Sequence, residues 1–80
     1  MPRYRFNVRR DERVFLDPES QELPGIEEAE AEALHALAEM AKDAIPATMN
    51  RELAVEVAEE TGKPRFIAKL ILRITRDGRL

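Results

Sequence analysis

The sequence predicts a small α+β domain in which one helix packs on one face of a four-stranded sheet, in the order ββαββ. Two segments near the ends, starting at Arg3 and at Arg51, alternate polar and apolar side chains with the period of a strand. Between them, one long segment repeats its apolar residues with the period of a helix. Each element thus has one apolar stripe, and a two-layer arrangement buries all of them. We expect a single domain over residues 1–80.

The first hairpin is predicted from strands at about residues 3–9 and 13–17, in which Tyr4, Phe6 and Val8 face one way. A three-residue loop would pair Val8 with Val14 and Phe6 with Leu16, whereas a two-residue loop would bring Leu16 opposite Asn7. We favour the three-residue loop, because a slip of one residue moves every side chain to the other face. A turn over residues 17–20 follows, since Asp17 and Pro18 favour turns.

The helix is predicted to begin near Pro24 or Gly25 and to run to about Ala44, because Pro46 cannot continue it. Glutamates crowd its first turns, where the helix dipole favours negative charge. Its apolar stripe should face the core and comprises Ile26, Ala29, Ala33, Leu37, Met40 and Ala44, flanked by Leu34 and Ala41.

The second hairpin is predicted around Thr61 and Gly62, with its first strand at about residues 51–59. A two-residue turn there brings apolar faces together by pairing Val57 with Phe66, Val55 with Ala68 and Leu53 with Leu70. The apolar alternation of the fourth strand extends to Ile74.

The strand order is predicted from composition. The first and fourth strands are the most apolar, so placing them centrally gives a β-grasp-like order 2-1-4-3, with the predicted strands numbered along the chain. An all-antiparallel order, 2-1-3-4, is the alternative. In either order we expect one core cluster of Phe6, Val8, Leu16, Leu37, Met40, Val55, Val57, Phe66, Leu70 and Leu72.

Composition and charge narrow the class of protein. There is no cysteine, which excludes disulfides and zinc-thiolate sites and suits a reducing cytoplasm. No apolar segment resembles a signal peptide or could span a bilayer, so we expect a cytoplasmic protein with no membrane association. The net charge of −3 is segregated, with basic ends and an acidic middle over residues 17–60.

Several segments together resemble one protein family. They are the opening Met1-Pro2-Arg3-Tyr4-Arg5-Phe6, the Glu22-Leu23-Pro24 before an alanine- and glutamate-rich helix, and residues 51–57 leading through Thr61-Gly62-Lys63-Pro64. The chain is similar over its whole length to small bacterial proteins of unknown function that typically begin Met-Pro-Arg-Tyr-Phe-Phe. These proteins more often have Gly or Asp-Gly in the first hairpin turn, where this chain has Asp11-Glu12. The resemblance implies no catalytic or binding residues.

Residues with catalytic or metal-binding chemistry give little support for an enzyme. His35 shares a helix face with Glu32 and Glu39, but this face points away from the apolar stripe, which predicts a solvated histidine rather than a metal ligand. Ser20 has no base beside it, and no glycine-rich phosphate loop is present. We therefore predict no catalytic, cofactor-binding or metal-binding residues, no cofactor and no enzymatic activity.

The feature that points to a function is the sheet face opposite the helix, here called the outer face. Arginines and Lys69 on it are interspersed with Asp17, Glu52 and Glu56. We expect this face to form a homodimer or to dock a protein partner, because arginine and large apolar groups are enriched in interface cores. The predicted contacts are Arg5, Phe15, Ile67, Lys69, Ile71 and Arg73. The alternative is nucleic-acid binding by the same face, with Phe15 as the stacking group.

Overall fold

A computed structural model describes residues 1–44 and 51–73. It is an α+β structure with one helix on one face of an antiparallel sheet. The elements are β1 (Arg3–Arg10), β2 (Arg13–Phe15), β3 (Gln21–Glu22), α1 (Ile26–Ala44), β4 (Arg51–Glu59) and β5 (Pro64–Leu72). Pro46 and Ile74, which belong to the predicted helix end and last strand, lie outside the described residues.

The sheet has the spatial order β2-β1-β4-β5, and every strand pair is antiparallel. In the numbering of the four predicted strands this is 2-1-3-4, so the favoured β-grasp-like order 2-1-4-3 is wrong. β4 is the central partner of β1, and its Leu53, Val55 and Val57 are almost completely buried. Glu52 and Glu56 are compatible with a central position of β4, because their side chains point to the outer face of the sheet and not toward a neighbouring strand.

The first hairpin has a two-residue loop, Asp11-Glu12, which pairs Val8 with Phe15 and Arg9 with Val14. The predicted three-residue loop is therefore wrong, and each side chain of β2 faces the opposite way from the prediction. Asp11 adopts a positive φ of 55°, a conformation that aspartate tolerates better than most residues. The Asp11 N–H donates to the Glu52 carbonyl at 2.8 Å, and its Oδ1 accepts from the Glu52 N–H at 3.1 Å. These bonds extend the β1–β4 ladder into the turn.

Beyond β2 the chain leaves the edge of β1 and then returns to it. Opposite Phe6, the Asp17 carboxylate accepts the backbone N–H of Phe6 at 3.0 Å. The chain rejoins the sheet as β3, where Gln21 pairs with Tyr4 and Glu22 with Arg3. This short fifth strand was not predicted, because a two-residue strand carries no readable alternation.

The β4–β5 hairpin has the predicted register, with Val57 paired to Phe66, Val55 to Ala68 and Leu53 to Leu70. Its turn differs from the predicted two-residue form. The Gly62 N–H donates to the Glu59 carbonyl at 2.7 Å, and Gly62 has a φ of 101°. This is the pattern of a three-residue loop that ends in a glycine bulge. A bulge then inserts one extra residue into β5 between Pro64 and Phe66, which restores the register.

The core lies between the sheet and α1, which packs on β4 and β5. Ala29, Ala33, Leu37 and Ala41 of the helix are buried, as the helical periodicity predicts. Tyr4 is also buried, and Phe6, Val8, Met40 and Phe66 pack partly buried against the cluster.

Three expectations about buried residues fail. Leu16 is 75% exposed because the two-residue loop turns it to the outer face, and Leu34 is 62% exposed on the helix. Leu70 lies on the helix side but is 38% exposed, because β5 is an edge strand and no described strand lies beyond it.

Candidate functional site

The outer face of the sheet is the surface that sequence analysis selected. It is formed by the side chains of β1, β4 and β5 that point away from α1, together with two residues that follow the β1–β2 turn. Its members are Arg3, Arg5, Asn7, Arg9, Val14, Leu16, Glu52, Ala54, Glu56, Ala58, Ile67, Lys69 and Ile71. No described element covers it, since the one helix lies on the other side.

Four large apolar side chains on the outer face are each at least 51% exposed. Val14 and Leu16 lie at one side of the sheet, and Ile67 and Ile71 lie at the other side on β5. Apolar groups at this density on an open sheet face are typical of a surface that contacts another molecule.

A polar bridge separates these two apolar groups at the centre of the face. Asn7 Nδ2 donates to Glu56 Oε1 at 3.1 Å, and Asn7 Oδ1 accepts the backbone N–H of Asp17 at 2.9 Å. The Asn7 amide therefore has both ends hydrogen-bonded, and its orientation is fixed. It links β1 to β4 on one side and to the loop after β2 on the other.

Beside this bridge lies a shallow groove of about 230 Å³. Its floor includes Ala54, which is 4% exposed although it belongs to the outer face, because the longer side chains around it project past its methyl group. Leu16 and Ile67 line it with apolar surface, and Arg9 and Lys69 supply positive charge. The groove can accept an apolar side chain whose neighbours are acidic or polar.

The positive charges of the outer face differ in how far they are engaged within the chain. Arg5 Nη1 donates to the Asp17 carbonyl at 3.0 Å, which restrains that side chain against the sheet. Lys69 lies 3.6 Å from Glu52 in an exposed ion pair, and such pairs hold their partners only weakly. Arg9 makes no ion pair with any residue in 1–44 or 51–73, so its charge is available to a partner.

A charged cluster marks the end of the face where β1 begins. Arg3 Nε donates to Ser20 Oγ at 2.8 Å and lies 3.3 Å from Glu60 Oε2, and the Ser20 hydroxyl donates to the same carboxylate oxygen. The hydrogen bond from Ser20, together with the charges of Arg3 and Arg5, lowers the pKa of Glu60. The cluster ties the loop before β3 to the β4–β5 turn.

Four of the six predicted contact residues lie on the predicted surface. Arg5, Ile67, Lys69 and Ile71 lie on the outer face, and Arg73 directly follows β5 and is exposed. Phe15 does not fit. It pairs with Val8 and therefore lies on the helix side of the sheet, where the Arg13 guanidinium carbon is 5.5 Å from its ring centroid. Placing Phe15 on the outer face was wrong.

Val14 and Leu16 are the outer-face residues that sequence reasoning missed. Their position follows directly from the two-residue loop, which brings Leu16 opposite Asn7. The two-residue loop was one of the two lengths compatible with the sequence, but it was the less favoured one.

The edges of the sheet are not equivalent. The outward edge of β1 is covered in turn by β2, by the Asp17 carboxylate and by β3. The opposite edge is β5, a nine-residue strand, and no residue of the described ranges pairs with its outward side. β5 carries Ile67, Lys69 and Ile71, so two of the four exposed apolar side chains of the outer face lie on an open edge strand.

The histidine and the carboxylates are the remaining described groups with metal-binding chemistry. His35 is exposed on the helix, as predicted. Within residues 1–44 and 51–73, no group of three or more histidine, aspartate or glutamate side chains could hold a metal ion. Within residues 1–43 and 52–73, Tyr4 is buried but no charged residue is. No helix in these ranges is long and apolar enough to cross a membrane.

Comparison with known proteins identifies the family. The family model described as a domain of unknown function, DUF6894, matches residues 3–71, and the chain belongs to this family. Neither a curated protein nor a solved structure matches the chain.

Proposed function

We propose that this DUF6894 domain is a non-enzymatic interaction module that binds another protein surface through its outer face. A second copy of the chain is the first candidate for the partner, and a different protein is the other. The observation that carries the proposal is the set of four exposed apolar side chains, Val14, Leu16, Ile67 and Ile71, on a sheet face that no described element covers.

The size of the chain favours a second copy. A domain of about 80 residues buries little more than about 60% of the surface that its unfolded chain exposes, so its core alone gives marginal stability. The largest fully buried side chains in the described ranges are Val55 and Val57, which are of moderate size. Association would bury Ile67 and Ile71 and add to this core.

The electrostatic character of the face suits a protein surface. It contains both signs, with Glu56 at its centre and Arg9 and Lys69 around the groove, so a partner with complementary charges fixes the orientation of binding.

Nucleic-acid binding through the same face is the weaker candidate. With Phe15 on the helix side, the described part of the outer face presents cations but no aromatic ring on which a base could stack. The sequence pI near 5.2 also argues against a polyanionic ligand. A gel shift with single- or double-stranded oligonucleotides at low salt would reverse this ranking.

Sedimentation velocity over a series of micromolar concentrations tests the proposal. We expect a monomer–dimer equilibrium for the wild-type chain and weaker association for Ile71→Lys, which replaces an exposed apolar contact with a charge. Leu34→Lys is the matched control, because it makes the same substitution at an exposed leucine on the helix, 62% exposed against 53% for Ile71. A wild-type chain that is monomeric throughout would overturn the self-associating form of the proposal, as would equal effects of the two substitutions.

A further inference from the structure

We propose that two copies of the chain meet edge to edge, with β5 of each copy paired antiparallel to β5 of the other and with Ala68 on the two-fold axis. The inference rests on the proposed function for its partner, a second copy, but places the contact between the two copies at the edge of β5 and gives its register. The two sheets then form one continuous sheet whose outer faces lie side by side.

The first argument is the open edge of β5. A nine-residue edge strand presents outward N–H and C=O groups that only water or another strand can satisfy. β5 also carries three exposed apolar side chains, Ile67, Leu70 and Ile71. The other edge of the sheet cannot serve, because β2, Asp17 and β3 cover β1.

The second argument is the alternation of side chains between the two faces of the sheet. A two-fold axis perpendicular to the sheet keeps both helices on one side and both outer faces on the other. Residues that oppose each other across the new strand pair must then point to the same face. The axis must therefore pass through a residue of β5 and not between two residues.

The third argument is charge, which decides which residue of β5 lies on the two-fold axis. An axis through Ile67 would oppose Arg65 to Lys69 of the second copy, and an axis through Lys69 would oppose the two lysines to each other. Like charges directly opposite one another destabilise a strand pair. An axis through Ala68, the midpoint of Pro64–Leu72, avoids both contacts and overlaps the whole strand. An axis through Leu70 would leave the residues from Pro64 to Ile67 without a partner within β5.

The Ala68 register also completes the core. It places Phe66 opposite Leu70 of the second copy on the helix side of the sheet. Leu70 is 38% exposed there in the single chain, although it belongs to the apolar face that packs under α1. Phe66 of the second copy would cover it, and the reciprocal contact would form by symmetry.

Edge pairing also gives the outer face the size that a protein partner needs. Three strands spaced about 4.8 Å apart and about eight residues long have a planar face of roughly 400 Å². A stable interface buries about 800 Å² on each partner. Two outer faces joined at β5 present roughly 800 Å², with Ile67 and Ile71 of both copies at the centre.

Cysteine crosslinking tests the register, and the chain has no cysteine of its own. We expect Ala68→Cys to form a disulfide-linked dimer rapidly when diamide is added, because the two Cα atoms would be directly opposed at about 4.5 to 5.5 Å. In the same register the two Leu70 positions are separated by four residues, about 13 Å, so Leu70→Cys should not crosslink. Leu34→Cys on the helix reports the rate of random collision. The inference is overturned if Ala68→Cys crosslinks no faster than Leu34→Cys, or if Leu70→Cys crosslinks instead.

Two substitutions of opposite charge at Ile67 test the contact without a covalent bond. In the proposed register Ile67 opposes Lys69 of the second copy, so Ile67→Glu creates two cross-strand ion pairs and Ile67→Lys creates two like-charge contacts. We expect the dimer dissociation constants of these two variants to differ by roughly tenfold, with the glutamate variant the tighter. A dimer that contacts by its outer faces alone would lose the same apolar group in both variants and would be weakened equally.

The outcomes separate this inference from the proposed function. A wild-type chain that is monomeric at all concentrations removes the β5 edge contact and the self-associating form of the proposed function. A wild-type dimer that both Ile67 variants weaken equally, and that Ala68→Cys does not capture, leaves the proposed function standing and overturns the β5 edge contact.

Discussion

The carboxylate of Asp17 accepts the backbone N–H of Phe6 at 3.0 Å, at the position where β2 has ended and β3 has not begun. The side chain thus replaces the carbonyl that a continuous strand would have supplied to β1. The Asp17 N–H in turn donates to Asn7 Oδ1, and its Oδ1 accepts the N–H of Glu19 at 3.0 Å. One residue closes the gap in the edge of the sheet and also anchors Asn7 on the outer face.

Asp17→Ala should lower the free energy of unfolding by about 1 to 3 kcal/mol, because it leaves the Phe6 N–H without its charged acceptor. Glu19→Ala is the matched control, since it removes an exposed carboxylate from the same loop and should cost no more than about 0.5 kcal/mol. Urea denaturation of both variants measures the difference. Equal losses would show that the Asp17 bonds do not stabilise the edge.

The positive φ of Asp11 gives a second prediction. Asp11→Ala should be less stable than Asp11→Gly, because alanine at a φ of 55° is strained whereas glycine is not, and both lose the acceptor for the Glu52 N–H. Asp11→Asn should be the most stable of the three variants, since its amide oxygen keeps an acceptor and asparagine tolerates this conformation. Thermal unfolding of the three proteins ranks them, and an alanine variant as stable as the glycine variant contradicts the strain.

The cluster around Glu60 predicts a dependence on pH. Because the folded pKa of Glu60 lies below its usual value of 4.5, the cluster stabilises the fold above pH 4.5, and this contribution is lost as the pH falls through the folded pKa. Ser20→Ala removes the largest cause of the shift, so the pKa of Glu60 should rise toward its usual value. Ser20→Thr keeps the hydroxyl and should leave the pKa low. NMR titration of the Glu60 side chain measures both, and an unchanged pKa in Ser20→Ala would assign the shift to the arginines alone.

The helix orientation predicts a contrast between two substitutions two residues apart. Leu37 is 5% exposed, so Leu37→Ala should cost about 2 to 5 kcal/mol through lost burial and the cavity that remains. His35 is exposed, and His35→Ala should change stability by no more than about 0.5 kcal/mol. Thermal unfolding of both variants checks the helix orientation. A loss of stability in His35→Ala as large as that in Leu37→Ala would mean that the helix is rotated.

The sequence by itself determined the elements whose signals are local. The helix from Ile26 to Ala44 follows from the spacing of its apolar residues and the acidic first turn. The register of β4 against β5 follows from the alternation on both strands together with Gly62, because that pairing brings Leu53, Val55 and Val57 to the same face as Leu70, Ala68 and Phe66. Four of the six predicted contact residues lie on the outer face for the same reason.

The tertiary structure decided the rest, because the competing arrangements differ only in contacts between distant segments. Whether β1 pairs with β4 or with β5 does not change the alternation of either strand, so composition could not decide the strand order. The β1–β2 loop length was open for a similar reason. Val14, Phe15 and Leu16 are all apolar, so either register places an apolar residue opposite Val8. The two-residue loop puts Phe15 on the helix side of the sheet, and the bonds of Asp17 to Phe6 and Asn7 hold the chain that follows against the edge of β1. These bonds link residues about ten positions apart, and no local propensity encodes them.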